Sequence, residues 1–585
     1  MARGLAAVSL ENDDGVDVKT QTLAKLEALA DNVDMALASR KAHGYLLRAV
    51  KSWNKGRVAR TAQLALDAIN ADPENATAYH VLAIALEKMG HLYKALVTYE
   101  KAYQLSPDDL DIVINLGQLA GKFDMKDAAE KLYRTYISKR PDSPLGYNNL
   151  ANVFSSRNQI AEAIDLLKFA INRLPTEAIL WNSVATILAE EGRMEESVIF
   201  YREAIRLSPD CTRYYHNLGY ALMHLEKIEE AIALYNEALN HVRDPFERYE
   251  SIYSRGICSL QIGQLENGFK DYEIRNNQRF RGHTYYMLKT PEWQGESLAG
   301  KTVLAVGEQG LGDEIMFASI LPDVMRAVGD NGLVQVAVEP RLVPLFKRSF
   351  PEAHVGAYDD RKLVEKDGNK EVRFFPSIRG QNAPDYYFSL GTGLMYFRKT
   401  LDDFPGKAYL VPDPVRVASF RERLHAGGEV PLIGICWRSM MLSNKRGKYY
   451  SCLDQWGPIL KTPGVRFVNL QYGDCEKELA EAEALHGIRI ERVDGHDLTK
   501  DIDGNAALSA ALDLVISAPT SVAATAASVG VNTWFMVNSA SWPQLGTDHY
   551  PWYPRTSVFK PEKPFDWPQI IAGVADALRD YSAAF

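Results

Sequence analysis

Residues 307 to 313 read GEQGLGD, and their glycines and carboxylate are the first place where the sequence offers chemistry. Gly307, Gly310 and Gly312 lack the β-carbons that would keep a ligand away from backbone N–H groups near a helix start. Asp313 follows directly. A hydroxyl is a poor nucleophile at neutral pH, so a carboxylate in such a loop can serve by taking its proton. An aspartate there can equally cap the helix that begins at Glu314. Thr520 and Ser521, in APTSVAATAASVG, can cap a second helix and bind an anion at its N-terminus. Arg438 follows an apolar run ending at Trp437, Lys445 and Arg446 sit in the next loop, and Gln471 closes the run FVNLQ. Farther upstream, Asn115, Asn149 and Asn217 recur at one place in a repeat, with Asn148 and Asn182 one place earlier. Stacked amides can pair with both N–H and C=O of an extended chain, binding it without reading its side chains. Asparagine at these places can also simply satisfy neighbouring helix ends.

The elements behind these residues come in two kinds. Prolines 73, 107, 141, 175 and 209 stand 34 residues apart. Aligned on them, the fourth position reads Tyr45, Tyr79, Val113, Tyr147, Trp181, Tyr215 and the eighth reads Ala49, Ala83, Gly117, Ala151, Ala185, Gly219. A small eighth residue lets two helices of a hairpin approach closely, and a proline after the second helix ends it. The pattern resembles the tetratricopeptide repeat (TPR) family over residues 42–275, with six clear repeats and a degenerate last one at about 246–275. Residues 1–41 are expected to supply a helical cap.

Past residue 275 the helical period stops. A Pro- and Gly-containing linker, 276–300, leads to an apolar strand, the glycine loop and a helix. Further strands are expected at 334–339, 354–358, 386–390, 432–437, 466–471, 488–493, 512–517 and 533–537. They make two Rossmann-like lobes, 301–410 and 411–585, so the fold class is an all-α array followed by an α/β pair. Ligands of such sheets bind at the carboxyl ends of the strands.

The segments GEQGLGDEIMFA, IGICWRS, FVNLQYG, ALDLVISAPTSVAATAASVG and YPWYP resemble, in this order, TPR proteins whose second half is a heptosyltransferase-like glycosyltransferase of the GT-B fold. Proteins of this layout include flagellin glycosyltransferases of the FlmG type, and the arrangement is similar to the protein O-GlcNAc transferases. The asparagine positions likewise resemble the ladder of the latter. The resemblance implies that Asp313 is the general base for an acceptor hydroxyl. It implies that Gly310, Gly312, Arg438, Lys445, Gln471, Thr520 and Ser521 hold a nucleotide-activated sugar, and that Asn115, Asn149, Asn182 and Asn217 hold a protein acceptor. No catalytic metal or separate cofactor is implied. The sequence departs from the family where Asp-Thr-Ser and a later His are usual, having Pro519 and Ala524 instead. Loss of both polar groups points to a donor other than a nucleoside-diphosphate sugar, such as a CMP-linked nonulosonic acid, or to lost catalysis.

Bulk composition narrows the field. A net charge of −9 and the lack of a basic run argue against general nucleic-acid binding. The five cysteines form no Cys-x-x-Cys pair, as expected of reduced thiols in a cytoplasmic protein. Neither a signal-peptide core nor a membrane span is expected. Two functions remain: a protein glycosyltransferase, with flagellin as first acceptor candidate, or a TPR adaptor whose second half binds without chemistry. The missing acidic and imidazole groups predict that cytidine nucleotides raise the melting temperature more than uridine or adenosine diphosphates, by ligand linkage. Equal or reversed shifts in a thermal-melt series would refute the donor assignment.

Overall fold

The computed structural model describes residues 37–585 except 243, 281, 366–367, 377–382, 426–429 and 441–448. The expected cap at 1–41 therefore lies outside the described residues except for its last five, which open the first helix, Leu37–Trp53. The chain divides into two compact units, 37–214 with 362–365 and 368–370, and 215–361 with 371–585, so the strands Asp359–Glu365 and Gly368–Phe374 fall only partly in the second.

In the first unit the hairpins follow the repeat. First helices Ala76–Lys88, Leu110–Lys122, Pro144–Ser156 and Ala178–Glu190 alternate with second helices Leu92–Leu105, Lys126–Lys139, Ile160–Arg173 and Met194–Leu207. Each phased proline stands in the turn after a second helix. The small eighth residue has the expected cause. A β-carbon on Gly117 would stand 2.7 Å from the Tyr133 ring, and in the second unit one on Gly219 would stand 2.8 Å from that of Tyr235. Ala83, Ala151 and Ala185 at the same place are fully buried. Around them the core is continuous from repeat to repeat, and a side chain as deeply buried as Leu167 contributes about 1.5–3 kcal/mol. Asn75 and Asp109 cap two of the first helices, their side chains accepting from the N–H groups of Ala78 and Asp111 at 3.0 Å each.

The second unit carries thirteen strands among its described residues: β1 Thr284–Tyr286, β2 Thr302–Val306, β3 Leu333–Val338, β4 His354–Ala357, β5 Asp359–Glu365, β6 Gly368–Phe374, β7 Tyr386–Ser389, β8 Leu432–Cys436, β9 Arg466–Asn469, β10 Ile490–Glu491, β11 Leu514–Ser517, β12 Asn532–Met536 and β13 Thr556–Phe559. Two parallel sheets result, in the orders β4-β3-β2-β7 and β10-β9-β8-β11-β12-β13, and a small third one in the order β1-β6-β5. Strands β2, β8 and β11 are buried along almost their whole length, as parallel strands covered on both faces must be. The strand order reverses between β2 and β7 in the first sheet and between β8 and β11 in the second, which makes those the ligand crevices of each.

The repeats run on past residue 214, where the two compact units divide, so the last hairpins of the expected array belong with the sheets. Helices Ile228–His241, Pro245–Gln261 and Leu265–Tyr272 belong with the sheets. Glu226 accepts from the Ala540 N–H at 3.0 Å and pairs with Lys560 Nζ at 3.0 Å. Gln261 Nε2 donates to the Ala540 carbonyl at 3.0 Å, and the Tyr272 and Trp542 rings lie 5.5 Å apart. Arg275, just past the last helix, forms a buried fork with Glu308. Cutting the chain at 281 leaves Glu308 buried without that cation, which costs about 3–5 kcal/mol. A fragment spanning 212–585 is therefore expected to be soluble and to melt cooperatively, while 281–585 aggregates or melts without a transition. Equal melting curves would show that the sheets fold without these hairpins.

Candidate functional site

The loop after β2 is built by its glycines, but not in the way the sequence suggests. The Gly307 N–H stays in the sheet, donating to the Ala337 carbonyl at 2.7 Å. A β-carbon on Gly307 would fall 2.3 Å from Glu314 Oε2, so this glycine makes room for a buried carboxylate. Gly310 is the N-cap of helix Leu311–Phe317, and its N–H donates to Asp313 Oδ2 at 3.2 Å. Asp313 thus sits at the third helical position, closing the first turn, and is 1% exposed. The capping role is present. Its negative charge adds to burial in pushing up the hydroxyls of Tyr253, Tyr272 and Tyr553, so three tyrosines from both halves of this unit surround it. A β-carbon on Gly312 would stand 3.5 Å from the backbone of Ser521. The starts of helices Leu311–Phe317 and Ser521–Ser528 therefore meet, one from each large sheet.

At the crevice of the second sheet, Thr520 is the N-cap of Ser521–Ser528, with no hydrogen bond from its side chain to the helix. Its hydroxyl lies 3.4 Å from Ser517 Oγ and 3.6 Å from Cys436 Sγ. Gln471 is 1% exposed. Its Oε1 accepts from the N–H groups of Trp437 (3.1 Å) and Arg438 (3.0 Å), while Nε2 donates to the carbonyls of Arg438 (2.9 Å) and Tyr472 (3.1 Å). Both donors and both lone pairs of the amide are used. Gln471 is a staple between the ends of β8 and β9, with its amide committed to the backbone.

Arg438 is likewise engaged. Its fork grips Glu478, with Nε at 2.9–3.0 Å, and Nη2 also donates to the Asp474 carbonyl at 2.9 Å. The hydrogen bonds to Glu478 raise the Arg438 pKa and so keep its charge, but they also neutralise it locally. Arg438 is thus close to the crevice without offering it an open fork. Lys445 and Arg446 lie outside the described residues. Pro519 and Ala524 flank the helix start, and Ala524 is buried.

The asparagines of the first unit are buried, not displayed as an open ladder. Asn115 is 1% exposed and its Nδ2 lies 2.9 Å from His80 Nε2 in the preceding repeat. Asn148 accepts from Ser183 in the following repeat and contacts Asn149. These amides bridge successive repeats. Asn182 is also buried, and Asn217 stands half-buried in the second unit. Asn115 Oδ1, Gln118 Nε2 and Asn152 Oδ1 are buried atoms with no hydrogen-bond partner. Gln118 and Asn152 each follow a ladder position by three residues, on the same helix face.

Four residues of this unit escaped the sequence reading. Arg275 and Glu308 form the fork already described, and Glu478 neutralises Arg438. Glu314 accepts from the Tyr358 hydroxyl and the Glu339 N–H (3.0 Å), with Arg373 Nη1 3.9 Å away. Its position next to Asp313 was the only available signal, and one sequence shows no partner for it. Burial pushes the Glu314 carboxyl up to about 7, outweighing the downward pull of Arg373, Tyr358 and Glu339 N–H. Among the described residues no cluster of His, Cys, Asp and Glu could hold a metal ion, and no helix is long and apolar enough to cross a membrane.

Comparison with known proteins matches tetratricopeptide-repeat family models to residues 76–109, 148–210 and 212–244. Over 541 residues the chain is 36% identical to Protein FlbA of Caulobacter vibrioides, covering 92% of this chain and 90% of that one. Among solved structures, a thermophilic TPR protein from Thermus thermophilus is 20% identical over 31% of this chain and 98% of its own, with a TM-score of 0.28. YrrB, a TPR protein described as having an unusual peptide-binding site, is 19% identical over 33% of this chain and 98% of its own, with a TM-score of 0.24.

Glu314 gives a pH test. Folding raises its pKa from 4.5 to about 7, so the protonated form is the one that folding favours. Its stabilising contribution is full below about pH 4.5 and is lost as pH rises through 7. Glu314→Gln is expected to flatten the fall in melting temperature between pH 5 and 8. Parallel curves for the two proteins would show that Glu314 is already ionised in the fold.

Proposed function

We propose that this chain, a TPR-repeat protein that belongs to the family of Protein FlbA, is a protein glycosyltransferase with two GT-B lobes. In this reading it moves a sugar from a nucleotide-activated donor to Ser or Thr of a protein held by the repeats. Flagellin is the first acceptor candidate and a CMP-activated nonulosonic acid the first donor. The observation that carries the reading is the meeting of the two helix starts, Gly312 against Ser521, at the carboxyl ends of two parallel sheets. One start bears Asp313 and the other bears Thr520 and Ser521.

The chemistry follows from that placement. The donor phosphate lies at the N-terminus of Ser521–Ser528, where backbone N–H groups and the Thr520 and Ser521 hydroxyls meet negative charge. Asp313 takes the proton of the acceptor hydroxyl as its oxygen attacks the anomeric carbon. The bond to the phosphate breaks on the opposite side, leaving its electron pair on the nucleotide and inverting the centre. Preorganised donors at that phosphate stabilise the developing charge.

A second reading, a TPR adaptor without catalysis, is favoured by three observations: Asp313 is 1% exposed, Arg438 is neutralised by Glu478, and Pro519 and Ala524 replace the polar pair. Asp313→Asn separates the two. Asparagine caps a helix about as well as aspartate but cannot take a proton, so folding and acceptor pull-down persist while transfer falls about 100-fold or more. The measurement is the intact mass of the acceptor co-purifying from cells carrying each form. Full modification by the variant removes Asp313 from the mechanism, and an unmodified acceptor even with the wild-type chain leaves the adaptor.

A further inference from the structure

The crevice of the first sheet, between β2 and β7, is where a parallel sheet ordinarily takes a ligand. Here a cation of the protein fills it. Arg275, 6% exposed, lies in the short 3-10 turn Glu273–Asn276 that ends the last repeat. All five of its N–H donors are spent. Nε and Nη2 reach Glu308 at 2.9 and 2.7 Å, and Nη2 also reaches Ser389 Oγ at 3.3 Å. Nη1 reaches the Tyr272 carbonyl at 2.9 Å and Glu273 at 3.2 Å. Glu308 in turn accepts from the Gly391 N–H at 2.7 Å. A β-carbon on Gly391 would fall 2.3 Å from Glu308 Oε1 and 2.5 Å from Arg275 Nη2, so the pair needs glycine there. One residue past Glu308, Gln309 holds a left-handed backbone, φ 61°, uncommon for a residue with a β-carbon, and its amide donates to the Tyr272 hydroxyl. Gly310 and Asp313 follow.

We propose that Arg275 is a positioning residue for Asp313: through Glu308 and the Gln309 turn, the last repeat fixes the loop whose cap orients the general base, and it closes the first crevice to nucleotide. The proposal rests on the glycosyltransferase reading. The path is short and made of directed bonds. Glu308 stands in the short loop that leads into the helix of Asp313, and that loop is tied at one end to the segment Tyr272–Arg275 and at the other to the helix start. A general base displaced by about 1 Å can lose about 100-fold in rate without any change in what the enzyme holds.

The test must separate positioning from plain stability, since removing either partner alone strands a buried charge. The double variant Arg275→Met with Glu308→Leu removes both charges at similar volume, a change often neutral or stabilising. Gly391→Ala displaces Glu308 while keeping both charges. Three quantities are read for each in the full-length chain: melting temperature, amount of acceptor co-purified, and rate at which that acceptor gains mass in cells after induction. The expected result is a rate down about 100-fold in at least one variant that retains wild-type melting and wild-type acceptor capture. Rates within about twofold of wild type in both variants, or a loss of rate that only tracks a loss of melting temperature, would make the clamp a structural feature and overturn the proposal. Asp313→Asn run alongside tells the failures apart. If it abolishes transfer while both clamp variants work, the clamp alone is wrong, and if it transfers fully, the general-base reading falls and the clamp with it.

Discussion

The buried fork between Arg275 and Glu308 is the constraint on which the second unit depends. Two unit charges out of water are tolerated only when each is met by the other and by further hydrogen bonds, and here the carboxylate has a backbone N–H as well as the guanidinium. Burial by itself pushes the Glu308 carboxyl up, yet Arg275 and the Ser389 and Gly391 donors hold it below its ordinary value. Such a pair is weak evidence of stability and strong evidence of geometry. It joins the end of the repeats, the loop after β2 and the helix after β7 at one point, so none of the three can shift alone.

The second crevice is electrically different. Arg438 meets Glu478, Gln471 is fully committed, and the flanking positions are Pro519 and Ala524. Among the described residues, what remains facing it is the start of an eight-residue helix with two hydroxyls. A helix start carries about half a positive charge, so oriented dipoles there favour an anion.

The repeats and most strands were legible in one sequence because their causes are local and periodic. A 34-residue period with a small eighth residue reflects a contact that every hairpin makes, as Gly117 against Tyr133 shows. The strands expected downstream of the glycine loop are present, with ends shifted by no more than about two residues, the usual uncertainty of element ends. The pair β5 and β6 was not legible, because DDRKLVE and GNKEVRF are too charged to read as buried strands. Nor was the clamp, since Arg275, Glu308 and Gly391 are brought together only by the tertiary fold and each looks ordinary in its own segment. The catalytic candidates were found as residues, but their partners were not. Glu478 and the saturation of Gln471 arise from contacts 33 to 40 residues away in sequence. The asparagines illustrate the same limit: their phase was visible, their burial between repeats was not.

The placement of the unit boundary near residue 214 bears on how such a chain can change over generations. Hairpins before it contact mainly their neighbours, and a repeat array tolerates gain or loss of whole units. The two hairpins after it are committed to the sheets through Glu226, Gln261 and Arg275. The reach of the array is therefore adjustable in steps of 34 residues at its amino-terminal end, while the hairpins nearest the sheets are fixed in number. A chain of this design can gain or lose whole repeats without disturbing the hairpins committed to the sheets.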